Sequence, residues 1–159
     1  MPSMLLPSRR SVLAGLASCV VLISPVQTAE PLPEVTVTKE PSCACCEAWV
    51  THLRAAGFPV RVIEAPVNPL KVRLGVPRTL FACHTAQVAG YVIEGHVPSA
   101  AITRLLAEKP AATGLAVPGM PVGSPGMEAE EMESDTYDVV LFGPSGQRSF
   151  SRYRGATPL

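Results

Sequence analysis

The chain has 159 residues, with 13 basic and 13 acidic side chains and no net charge. That length excludes a tandem array of domains, and the balanced charge offers no electrostatic basis for nucleic-acid binding. Apolar residues make up 47% and charged ones 16%, which excludes intrinsic disorder for most of the chain. The unusual inventory is five cysteines beside three histidines.

Residues 1–29 read as an export signal. Ser8-Arg9-Arg10-Ser11-Val12-Leu13 opens an uncharged run from Val12 to Ile23, and Ala29 suits the position before a cleavage site. The paired arginines resemble the twin-arginine signal, which exports proteins already folded. An apolar core of about a dozen residues is short against the roughly twenty that a membrane-spanning helix needs, so a retained anchor is the lesser reading. Cleavage leaves 130 residues, 30–159, with 11 basic and 13 acidic side chains, expected as a single domain in the periplasm. Six of the acids, Glu128, Glu130, Glu131, Glu133, Asp135 and Asp138, lie within eleven positions and read as a solvated charge run.

In chain order, Val35 to Thr38 is β-branched and reads as a strand. Glu40-Pro41-Ser42 turns into a helix whose Trp49, Val50, Leu53 and Ala56 keep helical spacing and which Gly57 ends. Pro59 to Ile63 alternates as a second strand, and Leu70 to Leu74 forms a short helix ended by Gly75. Thr79 to Cys83 and Val88 to Ile93 read as two strands joined through His84 to Gln87. Pro98 starts a helix carrying Ile102, Leu105 and Leu106, and Pro110 stops it. Val117 to Met127 is a Pro/Gly-rich loop in which Pro-Gly-Met occurs twice, seven residues apart. Tyr137 to Phe142 and Gln147 to Tyr153 then flank Gly143-Pro144-Ser145-Gly146 as a C-terminal hairpin. A β-α-β half followed by a β-β-α half on one mixed sheet is an α/β, thioredoxin-like plan, with Cys43 to Cys46 at the turn into the first helix.

Signal removal takes Cys19 and leaves Cys43, Cys45, Cys46 and Cys83. Two structural disulfides are the bland reading of four exported cysteines, but three of them within four residues close almost no chain loop. Cys43 and Cys46, three apart at a helix start, can present both sulfurs on one side of the first turn, to each other or to one metal ion. The helix N-terminus favours the thiolate that nucleophiles and soft-metal ligands require. Cys45 lies about 100° around the helix from Cys46, which leaves two roles open, bridging a second ion or packing as a small buried residue. Cys83-His84 follows a strand expected beside that helix, and is either a thiolate and imidazole for the same site or a packed cysteine with a turn histidine. Met120 and Met127 on the loop are ligands or gap fillers in a lid. Thiolates, imidazole and thioethers together select soft Cu(I) over calcium or magnesium. His96 is either a ligand or a hydrogen-bond partner of a loop carbonyl. His52 and Met132 read as surface residues and Trp49 as core.

Pro41-Ser42-Cys43-Ala44-Cys45-Cys46, Cys83-His84-Thr85-Ala86, the block from Gly90 to Pro98 and the block from Gly114 to Met127 together resemble the CopG-type family of bacterial copper resistance. The likeness runs from about Val35 to Tyr153. It implies an exported, thioredoxin-like protein that holds several copper ions in a cysteine-bridged site, with a redox role in copper handling. Its candidate copper shell is Cys43, Cys45, Cys46, Cys83, His84, Met120 and Met127, with His96 in a matching block. Pro77 falls roughly where thioredoxins carry a cis-proline.

Two functions from different classes follow. One is a copper-binding resistance factor whose core can cycle between Cu(I) and Cu(II), with copper-dependent oxidoreductase activity left open. Its partners are copper ions and other periplasmic copper-handling or redox proteins, with no nucleic acid and no stable membrane anchor after cleavage. The other is a periplasmic thiol-disulfide oxidoreductase in which Cys43 attacks a disulfide and Cys46 resolves it. A third adjacent cysteine, a distant Cys-His pair and two loop methionines have no task in simple exchange, and they favour metal.

Overall fold

The computed structural model describes residues 31–159, so the export signal expected over 1–29 lies outside the described residues. Strand β1 (Val35–Lys39) leads through helix α1 (Ala44–Ala55) to β2 (Val60–Glu64), then α2 (Val67–Arg73) and a 3-10 turn at Arg78–Leu80. Strands β3 (His84–Val88) and β4 (Tyr91–Glu94) precede α3 (Ser99–Glu108), and β5 (Gly114–Ala116), β6 (Thr136–Gly143), β7 (Gly146–Arg154) and β8 (Thr157–Pro158) complete the chain. The strands form one sheet in the order β2-β1-β3-β4-β5-β6-β7-β8. β1 runs parallel to β2, as a helical crossover requires, and antiparallel to β3, which is antiparallel to β4. This is the mixed sheet expected from a β-α-β half followed by a β-β-α half.

Alternation along the strands separates two apolar clusters. Val37, Ala86, Ile93, Leu115 and Leu141 pack with Trp49, Leu53, Ile102 and Leu105 of α1 and α3, whereas their strand neighbours Val92, Ala116 and Phe142 join Val76 and Leu80 in a smaller cluster. Burying a side chain such as Leu53 or Ile102 is worth about 1.5–3 kcal/mol. The face that carries α1 is therefore anchored by its own core, which positions the cysteine turn at the start of α1. Trp49 belongs to that core as expected, and its Nε1 donates to the carbonyl of Val97 at 2.9 Å.

The middle strands differ from the sequence reading. Thr79 to Cys83 does not form a strand: Arg78–Leu80 is a 3-10 turn, and the strand expected there begins at His84. His84 to Gln87, expected as a connection, is the body of β3, and the hairpin turns instead at Ala89-Gly90, both at positive φ (46° and 86°). Burial decides the register, since pairing from His84 places Ala86 and Val88 in the main core. Strands β5 and β8 were also not expected, being three and two residues long and held by pairing with β4, β6 and β7 rather than by their own propensity. No cis peptide bond occurs among the described residues, so Pro77 is preceded by a trans bond.

Candidate metal centre

The turn before α1 is held from below by Lys39. Its side chain is 1% exposed, and Nζ donates to the carbonyls of Glu40 and Pro41, both at 3.3 Å, while pairing with Glu47 at 2.8 Å and Glu64 at 3.4 Å. Two carbonyls of the turn that delivers Cys43 are thus satisfied by one buried ammonium.

At the head of α1, Cys43 and Cys46 form a disulfide with their Cα atoms 5.3 Å apart. Cys45 and Cys83 are free thiols. Cys45 Sγ lies 3.6 Å from Cys43 Sγ and 4.0 Å from Cys83 Sγ. The four sulfurs all fall within 4.8 Å of one another, so residues 38 positions apart in the chain share one sulfur cluster. Cys45 is half-buried, with its sulfur against those of Cys43 and Cys83.

Cys83 also belongs to a second group with His84 and His96, whose candidate ligand atoms again lie within 4.8 Å of one another. His84 Nδ1 is 3.2 Å and His96 Nε2 3.0 Å from Cys83 Sγ. The sequence left His96 between a ligand role and a bond to a loop carbonyl, and the geometry provides for both: Nδ1 donates to the carbonyl of Pro125 at 2.8 Å, which turns the unprotonated Nε2 toward the sulfur. His84 is fully buried, its ring 4.3 Å from that of Trp49 and 5.1 Å from that of His96. Its Nε2 has no hydrogen-bond partner among the described residues.

Burial pushes the Cys83 thiol up to about 12, and the adjacent Cys45 adds to the effect. Burial also lowers the imidazoles of His84 and His96 from the ordinary histidine value, His84 strongly. Neutral imidazole is the form that donates a lone pair to a metal, and a buried thiol that resists ionisation in a bare protein is one that a soft cation stabilises as thiolate. A group of four cysteine sulfurs and a group of one sulfur with two buried imidazoles, joined through Cys83, offer donors that fit a thiophilic metal and give no oxygen cage for a hard one.

The Pro/Gly/Met loop docks against this centre through its second repeat. Gly126 has φ +86°, and a Cβ there would lie 2.7 Å from the Trp49 nitrogen and 2.8 Å from the Cys45 carbonyl oxygen. Only glycine fits where the loop backbone meets α1. Two members of the acidic run hold the loop instead of merely facing solvent: Glu128 accepts from the Gly126 N–H at 2.9 Å, and Asp135 from the Val122 N–H at 2.8 Å. Met127, next to the docked glycine, is half-buried, whereas Met120 is 53% exposed on the outer part of the loop and Met132 is 59% exposed. His52 is not a free surface residue: its Nε2 accepts the N–H of Ser99 at 3.1 Å and so caps α3. Its angle around α1 from Cys46 gave no sign that α3 begins against it.

Sequence reading missed Lys71, Thr85 and Glu94, all fully buried. Lys71 Nζ meets Glu94 Oε1 at 2.6 Å and Thr85 Oγ1 at 2.9 Å, and Thr85 donates to Glu94 Oε2 at 2.7 Å. Glu94, the one charged residue of the otherwise apolar β4, was the available signal, whereas Lys71 shares α2 with the exposed Arg73 and gave none.

No match is found among curated proteins. A family profile described as "Protein of unknown function, DUF411" matches residues 80–127, a span that holds Cys83, His84, His96 and the loop but not the α1 cysteines. Two solved structures are similar to this chain: "Copper resistance protein copG- Form 2", 44% identical, and "Copper resistance protein copG- Form 1", 41% identical, each with a TM-score of 0.71 over 78% of this chain and 99% of the solved one. With identity at that level across essentially the full length of both solved chains, this protein belongs to the copper resistance protein CopG family.

Proposed function

We propose that this protein is an exported copper-binding protein of copper resistance, which holds Cu(I) in a thiolate-bridged site of several ions. The observation that carries the reading is Cys83, whose sulfur is shared between a cluster of four cysteines and a group with His84 and His96. A sulfur with two sets of neighbours is suited to bridging, and bridging thiolates let several Cu(I) ions share few ligands. Bound copper supplies one-electron chemistry between Cu(I) and Cu(II). The protein's own residues bury both imidazoles, keep them neutral and hold Cys83 beside them. Met127, beside the docked Gly126, and Met120, on the exposed loop, complete the shell as thioether donors, Met120 where incoming copper first meets the protein. The folded domain is delivered to the periplasm by the signal in residues 1–29, and among the described residues no helix is long and apolar enough to cross a membrane.

Cys43 and Cys46 serve as ligands only after their disulfide accepts two electrons, so loading at these two sulfurs requires a two-electron reductant such as a pair of thiols. Growth with copper, followed by elemental analysis of the purified protein beside Cys43→Ser and Cys83→Ser, tests the reading. Several coppers per chain, lost in both variants, is the expected result. Full retention of copper by both variants would sink the shared cluster.

The Cys43–Cys46 disulfide favours one second reading, a thiol-disulfide oxidoreductase. In it a substrate thiolate attacks one sulfur of that bond and displaces the other as a thiolate, and a second substrate thiolate attacks the mixed disulfide and releases the remaining cysteine, so two substrate thiols become a disulfide as the pair becomes a dithiol. The dithiol form runs the same exchange in reverse. Rapid reduction of a protein disulfide by the metal-free dithiol form, unaffected by Met120→Ala and Met127→Ala, would favour it over copper binding.

A further inference from the structure

The backbone immediately before Cys83 is pinned at three points, by Glu94, Gly95 and Lys71. Glu94 Oε1 accepts the Ala82 N–H at 2.7 Å, on the same oxygen that receives Lys71. The Ala82 methyl rests on Gly95, where a Cβ would come within 2.6 Å of it. Lys71 Nζ also stands 5.6 Å over the Phe81 ring. Thr85, directly opposite Glu94 across the β3–β4 ladder, closes the ring of hydrogen bonds on the far side of Cys83. A buried ion pair is weak evidence of stabilisation, because apolar residues of similar size often replace one without loss. Its value here is directional, since segment 81–83 belongs to no strand and has no ladder of its own.

We propose that Glu94, charge-balanced by Lys71, is the positioning residue of the metal centre: its carboxylate holds the Ala82 N–H and thereby sets Cys83 between the α1 cysteines and the two histidines. This rests on the reading of Cys83 as a copper ligand. It predicts that the acceptor at position 94, rather than the charge, is what copper binding requires.

The test compares two double variants, neither of which leaves a lone buried charge. Lys71→Met with Glu94→Gln keeps an oxygen for the Ala82 N–H, and Lys71→Met with Glu94→Leu removes it. Cu(I) affinity is measured by competition with a chromogenic chelator, beside thermal unfolding of the metal-free forms and a Cys83→Ser reference. The Gln variant is expected to bind within about threefold of the parent, and the Leu variant at least tenfold more weakly, the scale on which residues that orient metal ligands act. Equal affinity in the two variants, whether retained or lost, overturns the proposal. Should the Leu variant fail to fold, amide hydrogen exchange decides: the Ala82 N–H is expected among the slowly exchanging amides of the parent and the Gln variant, and free exchange there refutes the assignment. Should Cys83→Ser keep the parent's affinity, the ligand reading fails by itself, and the Ala82 amide still reports whether Glu94 holds this segment.

Discussion

Cys83 Sγ lies 3.0 Å from Nε2 of His96, on a ring whose other nitrogen is tied to the Pro125 carbonyl of the Pro/Gly/Met loop. The loop is therefore joined to the cluster through a side chain on another segment, and it meets α1 directly at Gly126. Removing His96 takes away both the nitrogen proposed as a copper ligand and the loop's tether. His96→Ala is expected to weaken Cu(I) binding at least tenfold, in line with the effect of losing groups that orient a metal site. His52→Ala removes only the acceptor that caps α3, so it should lower stability by about 1 kcal/mol and leave copper content unchanged. Elemental analysis and denaturant unfolding of both variants separate the two roles.

The state of the sulfurs is directly countable. Mature protein purified without reductant or metal is expected to show two reactive thiols after denaturation, those of Cys45 and Cys83. Full reduction should raise the count to that of all its cysteines, and copper uptake should rise with it. Uptake indifferent to reduction would remove Cys43 and Cys46 from the ligand set.

Two glycines of the repeated Pro-Gly-Met separate backbone strain from packing. Gly119 has φ +72° with open space around it, and Gly126 has φ +86° with α1 in the way. Gly119→Ala should cost only the left-handed backbone penalty, about 1–2 kcal/mol. Gly126→Ala should cost at least about 1 kcal/mol more, because the loop must also leave the helix. Unfolding midpoints of the two variants give the comparison, and equal losses would show that the loop is not seated on α1.

Acid should destabilise the metal-free protein. His52, His84 and His96 all have folded-state values below the ordinary 6.5, each chiefly through burial. Below about pH 6.5 the unfolded chain takes up protons that the folded chain refuses, so stability present above that pH is lost as it falls. Each histidine can contribute a slope of up to about 1.4 kcal/mol per pH unit. Urea unfolding from pH 7.5 to 5 should show a falling midpoint, with His52→Ala less sensitive than the parent. A flat profile would mean that these rings are solvated.

Most of the architecture was legible because its signals are local. Trp49, Val50 and Leu53 at helical spacing, Gly57 after the last turn and the Gly143-Pro144-Ser145-Gly146 connection each act within a few residues, and the corresponding elements formed where expected. The middle hairpin was not legible. Thr79 to Cys83 has strand composition, yet the competing register beginning at His84 buries Ala86 and Val88 in the main core, a gain visible only once α1 and α3 are in place.

For the centre itself, the sequence by itself determined the chemistry on offer, since cysteines three apart at a helix start, a Cys-His pair and a methionine loop are read from residue type and spacing. Only the tertiary structure decided how they meet. It joined Cys83 to Cys45 across 38 residues, turned the Nε2 of His96 inward through Pro125, left the Met120 side chain exposed and set a buried Lys71–Glu94 pair behind the loop that carries Cys83. The reason is that spacing constrains neighbours on one element, whereas the side chains that converge from separate elements are selected by packing, and buried charges in particular are tolerated only where the fold brings them a partner.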